Sequence, residues 1–161
     1  GALYLAFARL NQTRGAGDRF GRGVGRNRDV LMRRAGQGNA DGAAISAIED
    51  PLTGAAVMMA AVANSREPLD AAAATVIKDE LREVTGSDPR DAFEFAAWAI
   101  QYVPDPDNVS MRLTRMWNNT LTTAERQQLV DMVTRVACMK GDPTAIQADA
   151  IAKLKTRLDL K

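Results

Sequence analysis

A chain of 161 residues with 46 % hydrophobic side chains is long enough for one domain with a modest core. It has no histidine and one cysteine, Cys138, which removes Ser-His-Asp triads, Cys-His dyads, His-ligated zinc, zinc knuckles and CxxC redox sites. The net charge of +1 hides a division: residues 1–41 hold eight of the 21 basic residues and three of the 20 acidic ones, which leaves 13 basic and 17 acidic residues for the rest.

The arm is therefore basic and the body mildly acidic, a division that points the arm at an anionic surface. A solvated leader is the plainer reading of the same charges. A lone cysteine cannot close an intramolecular disulfide, so a reducing compartment is expected: the cytoplasm, or the cytoplasmic face of a membrane. Cys138 falls inside an apolar helical pattern and reads as a buried structural thiol.

The chain opens on an apolar run from residue 2 to residue 8, in which Leu3, Tyr4, Leu5 and Phe7 are the candidate membrane or docking anchor. Alone it is too short to span a bilayer. It suits the last turns of a membrane helix, with Tyr4 at the interface and the arginines on the cytoplasmic side. It equally suits a short amphipathic helix docked on this domain or on a partner. Glycine and arginine then alternate through residues 14–42, too glycine-rich for a stable helix in the first half, although residues 29–35 suit one helical turn. Arg14, Arg19, Arg22, Arg26, Arg28, Arg33 and Arg34 are the candidate anion-binding residues. Acidic protein or anionic lipid fits them better than RNA, because Phe20 is the only aromatic available there for base stacking.

From residue 43 the pattern is helical. A short piece covers 43–48. Asp50-Pro51, Asp88-Pro89 and Asp142-Pro143 each read as an N-cap followed by proline at the first helical position, where its missing N–H costs nothing. The main helices expected are about 51–64, 69–85, 89–103, 107–118, 123–139 and 143–158. In the first, Leu52, Ala55, Ala56, Met59 and Val62 form a stripe. The third adds a second row of Phe95, Trp98 and Tyr102 to its stripe of Phe93, Ala96, Ala97, Ile100 and Val103, so it is the expected central helix. Thr122 and Glu125 form a capping box before the fifth. No segment alternates as a strand does. The fold class is thus an all-α bundle of six to seven helices, residues 43–161, behind an arm of residues 1–42.

Helices 51–64 and 69–85 match 123–139 and 143–158 at an offset of 74. Met58 then falls on Met132, Val62 on Val136, Ala63 on Ala137, Ile77 on Ile151 and Val84 on Leu158. On these residues, residues 46–160 resemble the TerB-like family of tellurite-resistance proteins, whose plan is a bundle of two related helical halves. That resemblance implies an Ala-Asp-Gly turn in each half and an acidic residue early in the next helix, a pattern linked to metal binding. Here the turns read Ala63-Asn64-Ser65 and Met139-Lys140-Gly141, and the acidic positions fall near Ala73 and Gln147. The carboxylates a hard cation needs are missing from both turns, so no metal or other cofactor is expected. Some relatives in that family sit in membrane-anchored co-chaperones ahead of a J-domain; without histidine this chain cannot supply one.

Other charges have plain explanations. Lys78, Glu80, Arg82 and Glu83 suit a solvated face, Asp91 and Glu94 suit the dipole at a helix start, and Asp70 and Asp142 suit helix starts. Asp105 and Asp107 flank a proline turn where calcium binding is the less favoured reading. The sequence thus points to a non-enzymatic interaction, scaffold or accessory domain with protein partners and no evident small-molecule substrate. It would be docked or membrane-tethered through its N-terminal segment, as a subunit of a membrane-associated assembly. The alternatives are a divergent TerB-like stress domain holding a metal or small anion, and a nucleic-acid-associated protein that uses the arm.

Overall fold

The computed structural model describes residues 43–86 and 88–160. These form seven helices and no strand: α1 (Ala43–Ser46), α2 (Pro51–Arg66), α3 (Ala71–Thr85), α4 (Arg90–Ala99), α5 (Pro106–Thr120), α6 (Thr123–Ala137) and α7 (Ala145–Arg157). The all-α class and the helix-pair repeat are both present. A shift of 74 carries α2 and α3 close to α6 and α7. The packing obeys the same relation, because α2 lies against α7 as well as α6, and α3 lies against α6.

The centre of the bundle is α2, not the expected 89–103 helix. Every residue from Pro51 to Ala63 is buried, and α2 packs against α3, α4, α5, α6 and α7. The reason lies in the run from Gly54 to Ala63, which has no polar side chain and is mostly glycine and alanine. A helix that is apolar all round must be covered all round. Small side chains let five neighbours close on it, while Met58 and Met59 fill the remaining gaps.

By contrast α4 keeps Arg90, Asp91 and Glu94 exposed and buries Ala92, Phe95, Ala96 and Ala99. Its second row climbs out of the core: Phe95 is buried, Trp98 is partly buried and Tyr102 is 44 % exposed. The helix stops at Ala99, and tight turns carry the chain to Val103.

The caps explain the boundaries. Asp50 opens α2 by accepting from the Leu52 N–H at 3.4 Å and from the Thr53 hydroxyl at 2.8 Å. At Asp88-Pro89 the Asp88 carboxylate accepts from the Arg90 N–H at 3.0 Å, but Pro89 itself is the N-cap and α4 starts one residue later than expected, so the expected aspartate-capped, proline-first start is absent. Asp105-Pro106 is such a start, with Asp105 accepting from the Asp107 N–H at 3.1 Å. Asp142-Pro143 is not one. Thr144 caps α7 instead, because Thr144 and Gln147 form a capping box that satisfies two free donors where an aspartate satisfies one. Thr122 and Glu125 form the expected box on α6. Gly86 ends α3 at φ 68°, a left-handed conformation with a steric penalty for most side chains.

Two further expectations are overturned. Cys138 is exposed, because α6 ends at Ala137 and its buried stripe runs through Leu129, Met132, Val133 and Val136, a face that Cys138 does not share. Glu80 is buried rather than part of a solvated face, since it lies three residues from Ile77 and four from Val84 on the stripe that packs inward. Its carboxylate is met there by the Arg135 guanidinium of α6.

Gly54 marks the closest approach to α2. A Cβ there would lie 3.1 Å from the Trp117 indole nitrogen and 3.0 Å from the Met116 terminal methyl. The methyl can swing away. The indole cannot, because Trp117 is fully buried and its Nε1–H donates to the Pro51 carbonyl at 3.2 Å. Gly54→Ala gains about 0.5–1 kcal/mol of helix propensity but crowds a packed ring at a cost of about 1–3 kcal/mol. Urea unfolding is expected to show a net loss of about 1 kcal/mol; a net gain would mean that Trp117 is free to move.

Candidate functional site: the paired interhelical turns

Two turns hold equivalent places in the two halves, one linking α2 to α3 and the other α6 to α7. They face each other. Arg66, at the end of α2, donates through its guanidinium to the Asp142 carbonyl in the opposite turn. Lys140, which is Arg66 shifted by 74, reaches back to the first turn and donates to the Glu67 carboxylate and to Asp70 Oδ2, the latter at 2.7 Å. Each half thus extends a cation into the other, as a two-fold relation between halves requires.

Asp70 has two roles. Its Oδ1 accepts from the Ala73 N–H at 2.8 Å and caps α3, while its Oδ2 meets Lys140. Lys140, and secondarily the Ala73 N–H, hold the Asp70 carboxyl below the usual carboxylate range. Reciprocally, Asp70 first and Glu67 second push the Lys140 ammonium above its ordinary value. Asp142 contributes its backbone carbonyl to this contact.

At the two positions where the resemblance implies acids, the chain places Ala73 and Gln147, both buried. Gln147 Nε2 donates to the Val62 carbonyl on α2 at 2.9 Å, and its Oε1 accepts from the Thr144 N–H at 2.9 Å. One amide therefore ties α7 to the central helix and closes its own capping box. Ala73 cannot reach so far, and a cavity of about 10 Å³ remains between the turns. Such a space accommodates nothing larger than a water molecule. Chemically, the arrangement fastens two halves together, with Lys140 as the cation that meets its carboxylates.

Three other carboxylates singled out in the sequence, those of Asp105, Asp107 and Glu80, are also engaged. Asp105 caps α5. Asp107 receives the Arg157 guanidinium, with Lys153 at 3.7 Å, and Arg157 holds its carboxyl below the usual range. Arg157 also donates to the Ser110 hydroxyl at 2.6 Å, joining α7 to α5. Glu80 goes the other way: burial pushes its carboxyl up, and Arg135 opposes that only in part. Among the described residues no three His, Cys, Asp or Glu side chains lie close enough to share a metal ion.

The arm residues Arg14, Arg19, Arg22, Arg26, Arg28, Arg33 and Arg34, and the candidate anchor Leu3, Tyr4, Leu5 and Phe7, lie outside the described residues. Among those that are described, no helix is long and apolar enough to cross a membrane. No family model matches the chain, and comparison with curated proteins and with solved structures finds no significant match.

The cross-turn contacts were not anticipated, although a signal existed. The offset of 74 superposes Arg66 on Lys140, two cations at one position of a repeat whose turns otherwise differ. The acid response follows from the shifts. Asp70 and Asp107 have depressed values in the folded chain, so their stabilisation is complete above the unfolded carboxylate value and is lost as pH falls through the folded one. Glu80, with its raised value, works in the opposite sense and softens the upper part of the decline. Thermal unfolding between about pH 4 and 2 is expected to show Tm falling more steeply in the wild type than in Asp70→Asn/Asp107→Asn. Equal slopes would mean that these pairs do not form in solution.

Proposed function

We propose that this chain is a non-enzymatic accessory module, a rigid helical platform that its N-terminal segment docks or tethers within a larger membrane-associated assembly. The observation that carries the proposal is the separation of charge along the chain. Eight arginines lie in residues 1–41 beside an apolar run, while the body has more acids than bases. Cationic arms of this kind meet anionic surfaces over a Debye length of about 8–10 Å at moderate salt, and arginine pairs carboxylates and phosphates bidentately.

The body supports the same reading. Several of its polar contacts run between helices: Gln147 to Val62, Arg135 to Glu80, Arg157 to Asp107, Lys140 to Asp70. These side chains hold the platform in one arrangement. The turns at which the TerB-like plan would hold acidic ligands read differently here, so recognition is assigned to surfaces and to the arm. A partner with acidic patches, presented at an anionic membrane face, satisfies both the arginines and the apolar residues that precede them.

The test compares the full-length chain with a variant carrying serine at Arg14, Arg19, Arg22, Arg26, Arg28, Arg33 and Arg34. Affinity capture from a membrane extract of the producing cell, and co-sedimentation with phosphatidylserine-containing vesicles, are read at low and at high salt. The wild type is expected to retain a defined protein set that the variant loses, and added salt should release it. Identical capture by both proteins, or retention of RNA alone, would overturn the proposal.

A further inference from the structure

Among the described arginines, Arg82, Arg90, Arg135 and Arg157 each pair with a carboxylate. Arg66, Arg112, Arg115 and Arg126 do not pair with one among the described residues. All of these but Arg66 lie on α5 or at the start of α6. Between Asp107, which Arg157 holds, and Glu125, which is buried, the chain has no acidic residue. The side of α5 that meets solvent therefore carries uncancelled positive charge, on a body with more acids than bases.

Neutral acceptors place two of these guanidinium groups. Arg112 donates to Asn108 Oδ1 at 3.0 Å and to the Ser46 hydroxyl at 3.1 Å. Arg126 donates to Asn118 Oδ1 and to the Leu158 carbonyl, both at 3.0 Å. Such bonds hold a cation without cancelling its charge. Arg115 is exposed and, with Met111, Asn118 and Asn119, recurs at helical spacing as the outward stripe of α5. Met111 is 58 % exposed, one turn from Arg115 and next to Arg112 in the chain. The arm joins the body at the same place. α1 packs against α5 and begins directly after residue 42, and its Ser46 is the residue that Arg112 bonds. Residues 1–41, with eight arginines, are thus covalently attached at the edge of this stripe.

We propose that the outward face of α5 is the side of the body that lies on an anionic lipid bilayer, with Arg112, Arg115 and Arg126 on lipid phosphates and carboxylates and Met111 between the headgroups. It rests on the membrane reading of the arm above and adds to it the orientation of the body. An anionic leaflet takes both kinds of group at once, because guanidinium pairs with phosphate and carboxylate while the thioether enters the apolar boundary beneath them. An acidic protein patch would meet the arginines but offer Met111 no apolar phase. Cations with a single apolar anchor give a reversible, salt-sensitive contact.

Co-sedimentation of the full-length chain with phosphatidylcholine vesicles, with and without phosphatidylserine, tests this. Met111→Ser/Arg115→Glu is compared with Ile146→Ser/Arg82→Glu, which makes the same chemical changes at exposed residues of α7 and α3 and leaves the same net charge. The wild type is expected to sediment with the phosphatidylserine vesicles only. The α5 variant should partition about tenfold less, and the other within about twofold of the wild type. Helical circular dichroism is checked for each; should the double variant lose helicity, Arg115→Gln alone carries the test, with a loss of about fivefold. Undiminished binding of the α5 variant overturns the proposal. Equal loss in both double variants also overturns it, since net charge rather than a face would then be read. If serine at the arm arginines abolishes sedimentation while the α5 variant retains it, the arm reading stands and the α5 face falls. A wild type that ignores phosphatidylserine removes the membrane contact of both.

Discussion

The bundle depends on a helix with no face left for water. From Pro51 to Ala63 every side chain of α2 is buried, and five other helices are held in place by covering it. Burying a Leu- or Met-sized side chain is worth about 1.5–3 kcal/mol, and truncating one in a packed core costs about 2–5 kcal/mol. Leu52, Met58, Met59 and Val62 therefore outweigh any single polar contact in the molecule. The alanines between them contribute less area but set the distances, allowing Trp117 of α5 to seat its indole over Gly54.

Two related halves enclose this helix, and the polar contacts make the arrangement specific. Gln147 bonds to the Val62 carbonyl inside the core, where an unmade hydrogen bond would cost about 1–3 kcal/mol. The cross-turn pairs of Lys140 with Glu67 and Asp70 are closer to solvent and are worth less. They set orientation: a half turned the wrong way would leave Arg66 and Lys140 without partners. Buried Glu80 has the same character, a charge tolerated because Arg135 stands opposite it.

Much of this fold was legible in the sequence because it follows from local rules. Asp50-Pro51, the Thr122–Glu125 box and Gly86 fix helix ends through backbone groups that only nearby residues can satisfy. The offset of 74 disclosed the repeat because core positions recur with the helical period. Tertiary choices were less legible. A stripe of Leu52, Ala55 and Met59 describes one face of α2, but whether the other faces are also covered depends on how many neighbours the small residues admit. Aromatic residues suggested the centre at α4, yet their large side chains mark where that helix climbs to the surface. Glu80 looked solvated because its charge suggests it; its place on the Ile77–Val84 stripe decides otherwise. Arg66 and Lys140 are separated by more than seventy residues, and nothing local reveals that they cross.

The functional reading has the same division. Polar contacts such as Gln147 to Val62 and Arg157 to Asp107 tie the described helices to one another, and the proposal assigns recruitment to the arm. On the proposed reading, the platform has to stay intact while the arm is engaged, which requires the centre to open last. Native-state hydrogen exchange across the described helices tests that requirement directly. The amides of residues 55–62 in α2 are expected to exchange only through global unfolding, with the denaturant dependence of the whole bundle. If they exchange through a smaller opening, while α6 and α7 remain protected, α2 is not the element on which the structure depends.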